Sequence, residues 1–250
     1  MRVFGGSPFR WEQHLERFQR GAEFFGIRLP LAAPKLLEHA CELVQRNRMP
    51  DALLRLSLSR GAGSRGYSPG GAVSPTLVIS LHPAPEFDWR NPPRWRLATA
   101  SIRIFQRDPF NSYKTANKLA QVMARGEAEA RGADEALLLN SAGDLAEAAS
   151  SNLFWIEDGA VCTTDGDDGA LPGVTRGVVF ELCREQNIGC TEKSAPRDRL
   201  FQTSGVFLTN SAWGIIEANE LDEVPLRTSP LTRSLQAAYR TRLETESDPA

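Results

Sequence analysis

Apolar residues recur every three or four positions in FRWEQHLERFQRGAEFFGI, at Trp11, Leu15, Phe18, Ala22 and Phe25, which predicts an amphipathic helix near the start of the chain. APKLLEHACELVQRNR repeats that spacing from Leu36 to Val44, with Pro34 at a helix entry. The period then shortens to two. ALLRLSLSR alternates apolar and polar as a half-buried strand does, GAGSRGYSPGG is a Gly-rich loop, and TLVISLHP and RLATASIRIF read as a second and a third strand. The first half is therefore expected to be α+β with an antiparallel sheet. PAPEFDWRNPP (83–93) is a Pro-rich surface loop and RDPFN (107–111) a further break, so a boundary near 106–112 divides the chain into lobes 1–106 and 107–250.

The second half alternates differently. ANKLAQVMARGEAEARG predicts a helix with Leu119, Val122, Met123 and Ala130 inward. EALLLN and LFWIED read as strands around the turn SAGD, and GAVCTT as a strand after Asp158-Gly159, a hairpin signal. LPGVTRGVVFELCREQNIG predicts a helix entered through Pro172-Gly173. SGVFLTNSAWGIIEA supplies one or two buried strands, SPLTRSLQAAYRTRLETE a C-terminal helix, and SDPA an end expected to fray.

Composition narrows the function classes. A formal net charge of -2 and arginines spread along the chain give no electrostatic footprint for nucleic acid or an anionic membrane. No stretch approaches the ~18 apolar residues of a membrane span, and MRVFGGSPFRWEQHLERF lacks the apolar run of a signal peptide. Cys41, Cys162, Cys183 and Cys190 are far apart, without a C-x-x-C, and with only three histidines no metal-site spacing emerges. Buried or half-buried thiols and a reducing, cytoplasmic location are expected.

Four stretches carry candidate chemistry. Only four of the 29 basic residues are lysines, and two of them, Lys114 and Lys118, share SYKTANKL. A lysine amine forms a Schiff base with a carbonyl, which a guanidinium does not; locally, either residue reads equally well as a surface lysine. Glu147 precedes four small residues in EAASSNLFW, which suits close approach to a flat ligand or simply a solvated loop. LPGVTRGV leads into a helix whose free N–H groups attract phosphate or are capped in the ordinary way. TNSAWG places small polar residues at a strand end. Walker-type, nucleophile-elbow and dinucleotide Gly patterns are absent.

The order of these stretches is more specific than any one of them. A lysine before a helix, E-x-x-x-x-N-L-F, L-P-G-[IV]-T-R and a strand ending in small polar residues resemble the class IV aminotransferases, fold-type IV enzymes dependent on pyridoxal phosphate (PLP). The resemblance runs from residue 2 to about residue 240. It implies a small α+β lobe, of the D-amino acid aminotransferase type, a larger lobe with a β-barrel-like sheet, the cofactor between them, and a homodimer. It matches Lys114, in K-x-x-N with Asn117, to the Schiff-base lysine, and Glu147 to the carboxylate facing the pyridine nitrogen, whose anion keeps that nitrogen protonated. Leu171 matches the residue packing on the ring. Val174, Thr175 and Ser211 match phosphate contacts, Arg17 a phosphate-reaching arginine of the small lobe, and Asn152 the asparagine of the N-L-F motif. Lys118 matches no required position and is assigned to the helix surface.

Within the family, branched-chain transaminases usually carry G-T-A-A where this chain has NSAW, and D-amino-acid transaminases share K-x-x-N. Aminodeoxychorismate lyases are most similar: they show SRGxGxRGYS, here Ser59–Ser68, then NLFW, here Asn152–Trp155, and an asparagine at Asn210. That resemblance implies conversion of 4-amino-4-deoxychorismate to 4-aminobenzoate and pyruvate, with Arg60 and Arg65 contacting a dicarboxylate or else bracing their loop. Family members usually begin earlier, with a D-x-G-x-x-x-G-D-G turn and F-E-T or F-T-T. Their absence before MRVFGG leads to an expectation of a misplaced gene start or a truncated, non-catalytic PLP-binding form.

Overall fold

A computed structural model describes residues 1–86 and 88–247. Of the SDPA end, Ser247 is buried, with its N–H donating to Leu243 O at 3.2 Å, and 248–250 lie outside the described residues, as does Phe87 of the Pro-rich loop. Two compact units form: Met1–Pro85 with the chain from Arg242 onward, and Glu86–Thr241.

In the first unit, β1 (Arg2–Phe4), β2 (Ser7–Pro8), β3 (Ala52–Ser59) and β4 (Thr76–Pro83) form an antiparallel sheet in the order β2-β1-β3-β4. Helices α1 (Trp11–Phe24) and α2 (Ala33–Asn47) bury Trp11, Leu15, Leu36, Ala40 and Val44 against Val3, Ala52 and Leu54. The three-to-four spacing thus marks the buried faces, and the alternation of ALLRLSLS puts Ala52 and Leu54 inward and Arg55 outward.

The second unit contains β5 (Arg94–Ile104), α3 (Leu119–Ala130), β6 (Glu135–Asn140), β7 (Leu145–Ala148), β8 (Asn152–Glu157), β9 (Ala160–Thr163) and α4 (Val174–Glu185), followed by β10 (Cys190–Glu192), β11 (Gly205–Asn210), β12 (Gly214–Leu221), β13 (Val224–Pro225) and α5 (Pro230–Glu246), whose last turns cluster with the first unit. Its sheet runs β10-β9-β8-β11-β12-β5-β6-β7, with β13 on β12. The pairs β5/β6, β12/β5 and β9/β10 are parallel and the others antiparallel. Asp158 and Gly159 both adopt positive φ, 49° and 76°, as the predicted β8–β9 hairpin requires.

Three expectations change. Strand 94–104, expected in the first sheet, lies between β12 and β6. Its Leu97 enters one core cluster and Ala98, Ala100 and Ile104 another, so both faces are covered, as befits a central parallel strand. Helix α3 turns Ala124 and Ala128 inward and leaves Leu119, Val122 and Met123 71%, 65% and 55% exposed; Ala130 is exposed too. Close packing on the alanine-lined face of β5 and β6 selects small residues at that contact. Strand β7 was hidden in the segment LAEA, too short and too rich in alanine to alternate visibly.

Candidate active site

Two parallel crossovers, β5–α3–β6 and β9–α4–β10, bring helix N-termini to the carboxyl ends of strands, where α/β sheets commonly bind ligands. Before α3, a 3₁₀ turn at Pro109–Ser112 is capped by Asp108, which accepts from Phe110 N–H at 2.9 Å, while Asn111 Nδ2 donates to Phe105 O at 2.8 Å. This anchors the segment that presents Lys114, which is exposed on its unit. Lys118 is not on the outer surface of the helix as expected: it is half-buried and forms the N-cap of α3.

Glu147 is buried on β7 opposite Leu138. The register slips there, with Leu138 facing Glu147 and Leu139 facing Leu145, so Ala146 is an extra residue, a β-bulge. Leu137, Leu139, Leu145 and Ala148 enter the core on one face, whereas Ala136, Leu138 and Ala146 pack with α3 on the other. The pairing with Leu138 therefore puts Glu147 on the α3 face. Its Oε2 accepts from Leu171 N–H at 2.9 Å. Burial raises its pKa; the Leu171 N–H, then Lys118, then Lys114 oppose that, and Glu135 adds to it.

Leu171 links this acid to the next site residue, because its carbonyl accepts from Asn152 Nδ2 at 2.7 Å. A Cβ on Gly173 would overlap Asn152 Oδ1, so glycine is required by close approach; its φ of -73° is ordinary. Gly173 caps α4 with no side chain, and the first ladder bond is Gly177 N–H to Gly173 O at 3.0 Å. The amides of Val174, Thr175 and Arg176 precede that ladder and point toward the helix entry, an anion site in form. Thr175 is buried there.

Strand β11 closes the site. Thr209 pairs with Asn152, and two residues along Phe207 stacks on Phe154, itself edge-on to Phe180 of α4, so Thr209 and Asn152 share the face that α4 covers. The buried Thr209 hydroxyl has no hydrogen-bond partner. An orphaned hydroxyl on the face that α4 covers and the free amides at the entry of α4 are donors of the kind a phosphate takes. Ser211 lies in the β11–β12 turn, half-buried. Asn210 fixes that turn: its Oδ1 accepts from Ala212 N–H at 3.0 Å and Trp213 N–H at 2.9 Å, and its Nδ2 donates to Ser151 Oγ at 2.9 Å.

The remaining candidates belong to the first unit. Arg17 is half-buried, and burial, with Arg20 nearby, lowers its pKa to about 10. Arg60 spends its guanidinium on the carbonyls of Phe25 and Gly26, just past the end of α1, in keeping with the bracing alternative. Arg65 is exposed in the Gly-rich loop. Sequence reasoning missed the Leu171 peptide, Gly173 and Thr209 as site builders. The adjacent L-P-G and the strand-end T-N were the signals for them.

The family model for amino-transferase class IV matches residues 1–221. The chain belongs to the class IV aminotransferase family. This is a family of PLP-dependent enzymes, and the fold is that of its fold-type IV structures. Over 223 residues the chain is 29% identical to a Methanocaldococcus jannaschii protein assigned as a branched-chain amino acid aminotransferase, covering 89% of this chain and 77% of the relative. It is 27% identical to the D-alanine aminotransferase of Bacillus licheniformis over 252 residues, 99% of this chain and 87% of the relative. A Legionella pneumophila structure assigned as a 4-amino-4-deoxychorismate lyase superposes with a TM-score of 0.90 at 27% identity, over 96% of this chain and 88% of the other.

Proposed function

We propose that this class IV enzyme binds PLP through Lys114 and acts as an aminodeoxychorismate lyase, releasing 4-aminobenzoate and pyruvate. In this reading Lys114 holds the cofactor covalently, Glu147 faces its ring nitrogen, Leu171 packs on the ring, and Val174, Thr175 and Ser211 take the phosphate. Asn152 holds the Leu171 segment in place. Arg17 adds a cation for the phosphate from the first unit, and Arg65, more than Arg60, is left for a substrate carboxylate.

PLP, when bound, supplies an electron sink at the carbon bearing the substrate nitrogen. Lys114, once its amine is released, takes the proton from that carbon. The ether C–O bond to the side chain then breaks, the departing enolpyruvate gains a proton to become pyruvate, and the ring gains its third double bond.

The observation that carries the lyase reading is the turn at Asn210. Branched-chain members of the family usually have G-T-A-A there, and a glycine cannot close the turn with its own side chain as Asn210 does through the amides of Ala212 and Trp213. A transaminase remains the second reading, supported by aminotransferases among the relatives, those of Methanocaldococcus jannaschii and Bacillus licheniformis included. A homodimer is also proposed, on the exposed row of Phe105, Phe110, Leu119, Val122 and Met123. The test is to load the protein with PLP and measure 4-aminobenzoate and pyruvate from 4-amino-4-deoxychorismate, beside amino transfer to 2-oxoglutarate. Transfer without pyruvate release refutes the lyase reading. A visible cofactor band with neither activity leaves a non-catalytic PLP-binding protein.

A further inference from the structure

We infer that Lys118 is a second lysine of the active site, a positioning residue that favours the ionised form of Glu147 where that acid meets the cofactor's ring nitrogen. The inference rests on the assignment of Glu147 as the acid at that nitrogen. Its first support is topological. Arg125 of α3 lies 3.4 Å from Glu135 at the start of β6. Lys118 precedes Arg125 by seven residues, about 10 Å of helix at 1.5 Å per residue. The crossover runs α3 opposite to β6, so the same distance along the strand, three residues at about 3.3 Å each, leads from Glu135 to Leu138. Leu138 packs on the α3 side and is the register partner of Glu147, so Glu147 faces α3 as well. The N-cap of α3 and the acid thus share one level and one face.

The second support is the charge inventory around Glu147. Lys118 faces it from α3, Lys114 from the preceding segment, Glu135 from β6, and the Leu171 N–H from the segment before α4. Glu135 is itself occupied, by Ser150 Oγ and Arg125. Of the two ammonium groups, Lys118 lowers the Glu147 pKa more than Lys114 does. Among the described residues no hydrogen bond or ion pair engages the Lys118 ammonium.

The third is chemical. Lys114 must be neutral whenever it accepts a proton, so its charge is unavailable to Glu147 at the step that needs the acid ionised. Lys118 does no bond-making and retains its charge throughout. A burial that favours the neutral carboxylic acid is thereby countered by a cation independent of the reaction.

The test follows the Glu147 carboxyl by carbon-13 NMR in cofactor-free protein labelled at glutamate, assigned with Glu147→Gln. Wild type, Lys118→Met and Lys118→Arg are compared across pH, and PLP binding is titrated over the same range. Lys118→Met should raise the Glu147 midpoint by about one to three pH units, the effect of removing a charge at close range. Lys118→Arg should restore most of it, and the pH profile of PLP affinity should move in parallel. An unchanged midpoint in Lys118→Met overturns the inference, as does a PLP profile that ignores a shifted midpoint. Wild-type protein that fails to bind PLP overturns the functional reading instead, while the NMR comparison still judges the Lys118–Glu147 coupling.

Discussion

The clamp at the entry of α4 makes a quantitative prediction. In Gly173→Ala the new methyl would occupy the space of Asn152 Oδ1. The backbone itself tolerates alanine, at φ -73° and ψ 141°. Two backbone effects oppose each other. Replacing glycine at an N-cap by alanine costs up to about 1 kcal/mol, and restricting the unfolded chain returns about 0.4–1 kcal/mol. The net change therefore reports on Asn152. Displacing its amide from Leu171 O, a 2.7 Å bond, strands a buried polar group, at about 1–3 kcal/mol. Asn152→Ala removes the obstacle, so Gly173→Ala added to that variant should change stability by less than about 0.5 kcal/mol. Urea unfolding of wild type, both single variants and the double variant gives the coupling directly. Additive losses would refute the argument, because they would mean that Gly173 is not fixed by Asn152.

Glu147 has a raised pKa in the fold, so its contribution favours folding below the ordinary carboxylate range and is lost as pH rises through the folded value. Cofactor-free Glu147→Gln should accordingly gain stability relative to wild type as pH increases, with the curves converging in acid; urea unfolding across pH tests this. Glu157 behaves oppositely: hydrogen bonds from Arg199, then Lys193 and Trp155, hold its pKa down to about 2. Glu157→Gln should lose about 1 kcal/mol or less at neutral pH, since these partners are partly solvated, and the loss should fade as pH falls toward 2. If the α3 row forms a dimer interface, Met123→Glu should halve the mass measured by light scattering, and an unchanged mass would discard that surface.

Helices and edge elements were legible because their patterns are local. Trp11, Leu15 and Ala22 lie inward as their spacing indicates, and Asp158-Gly159 makes its hairpin. What failed depended on partners distant in sequence. Strand 94–104 alternates well enough to be recognised, but nothing in it says that its neighbours are residues 135–140 and 214–221. On α3 the apolar Leu119, Val122 and Met123 looked like a core stripe, yet the sheet face beneath is lined with alanines and admits only Ala124 and Ala128 closely. Hydrophobic spacing marks which residues avoid water, not whether a strand or another surface covers them.

The candidate site shows the same division. Lys114, Glu147 and Thr175 carried a signal because the family motifs that they match restrict residue type at those places. The pieces that orient them act through main chain or shape: the Leu171 peptide joins Glu147 to Asn152, and Gly173 matters for the atom it lacks. Lys118 is the instructive case. Four residues from Lys114, it looked dispensable by motif, and its relation to Glu147 depends on the register that pairs Glu147 with Leu138 across two strands. A one-residue slip of that register would instead point Glu147 into the core shared by Leu137 and Ala148, away from the α3 face. Deleting Ala146 leaves Leu145, Glu147 and Ala148 opposite Leu139, Leu138 and Leu137 in plain alternation, so PLP binding, followed by titration, should survive it at a cost in packing against α3, and loss of binding in a folded variant would refute the register argument.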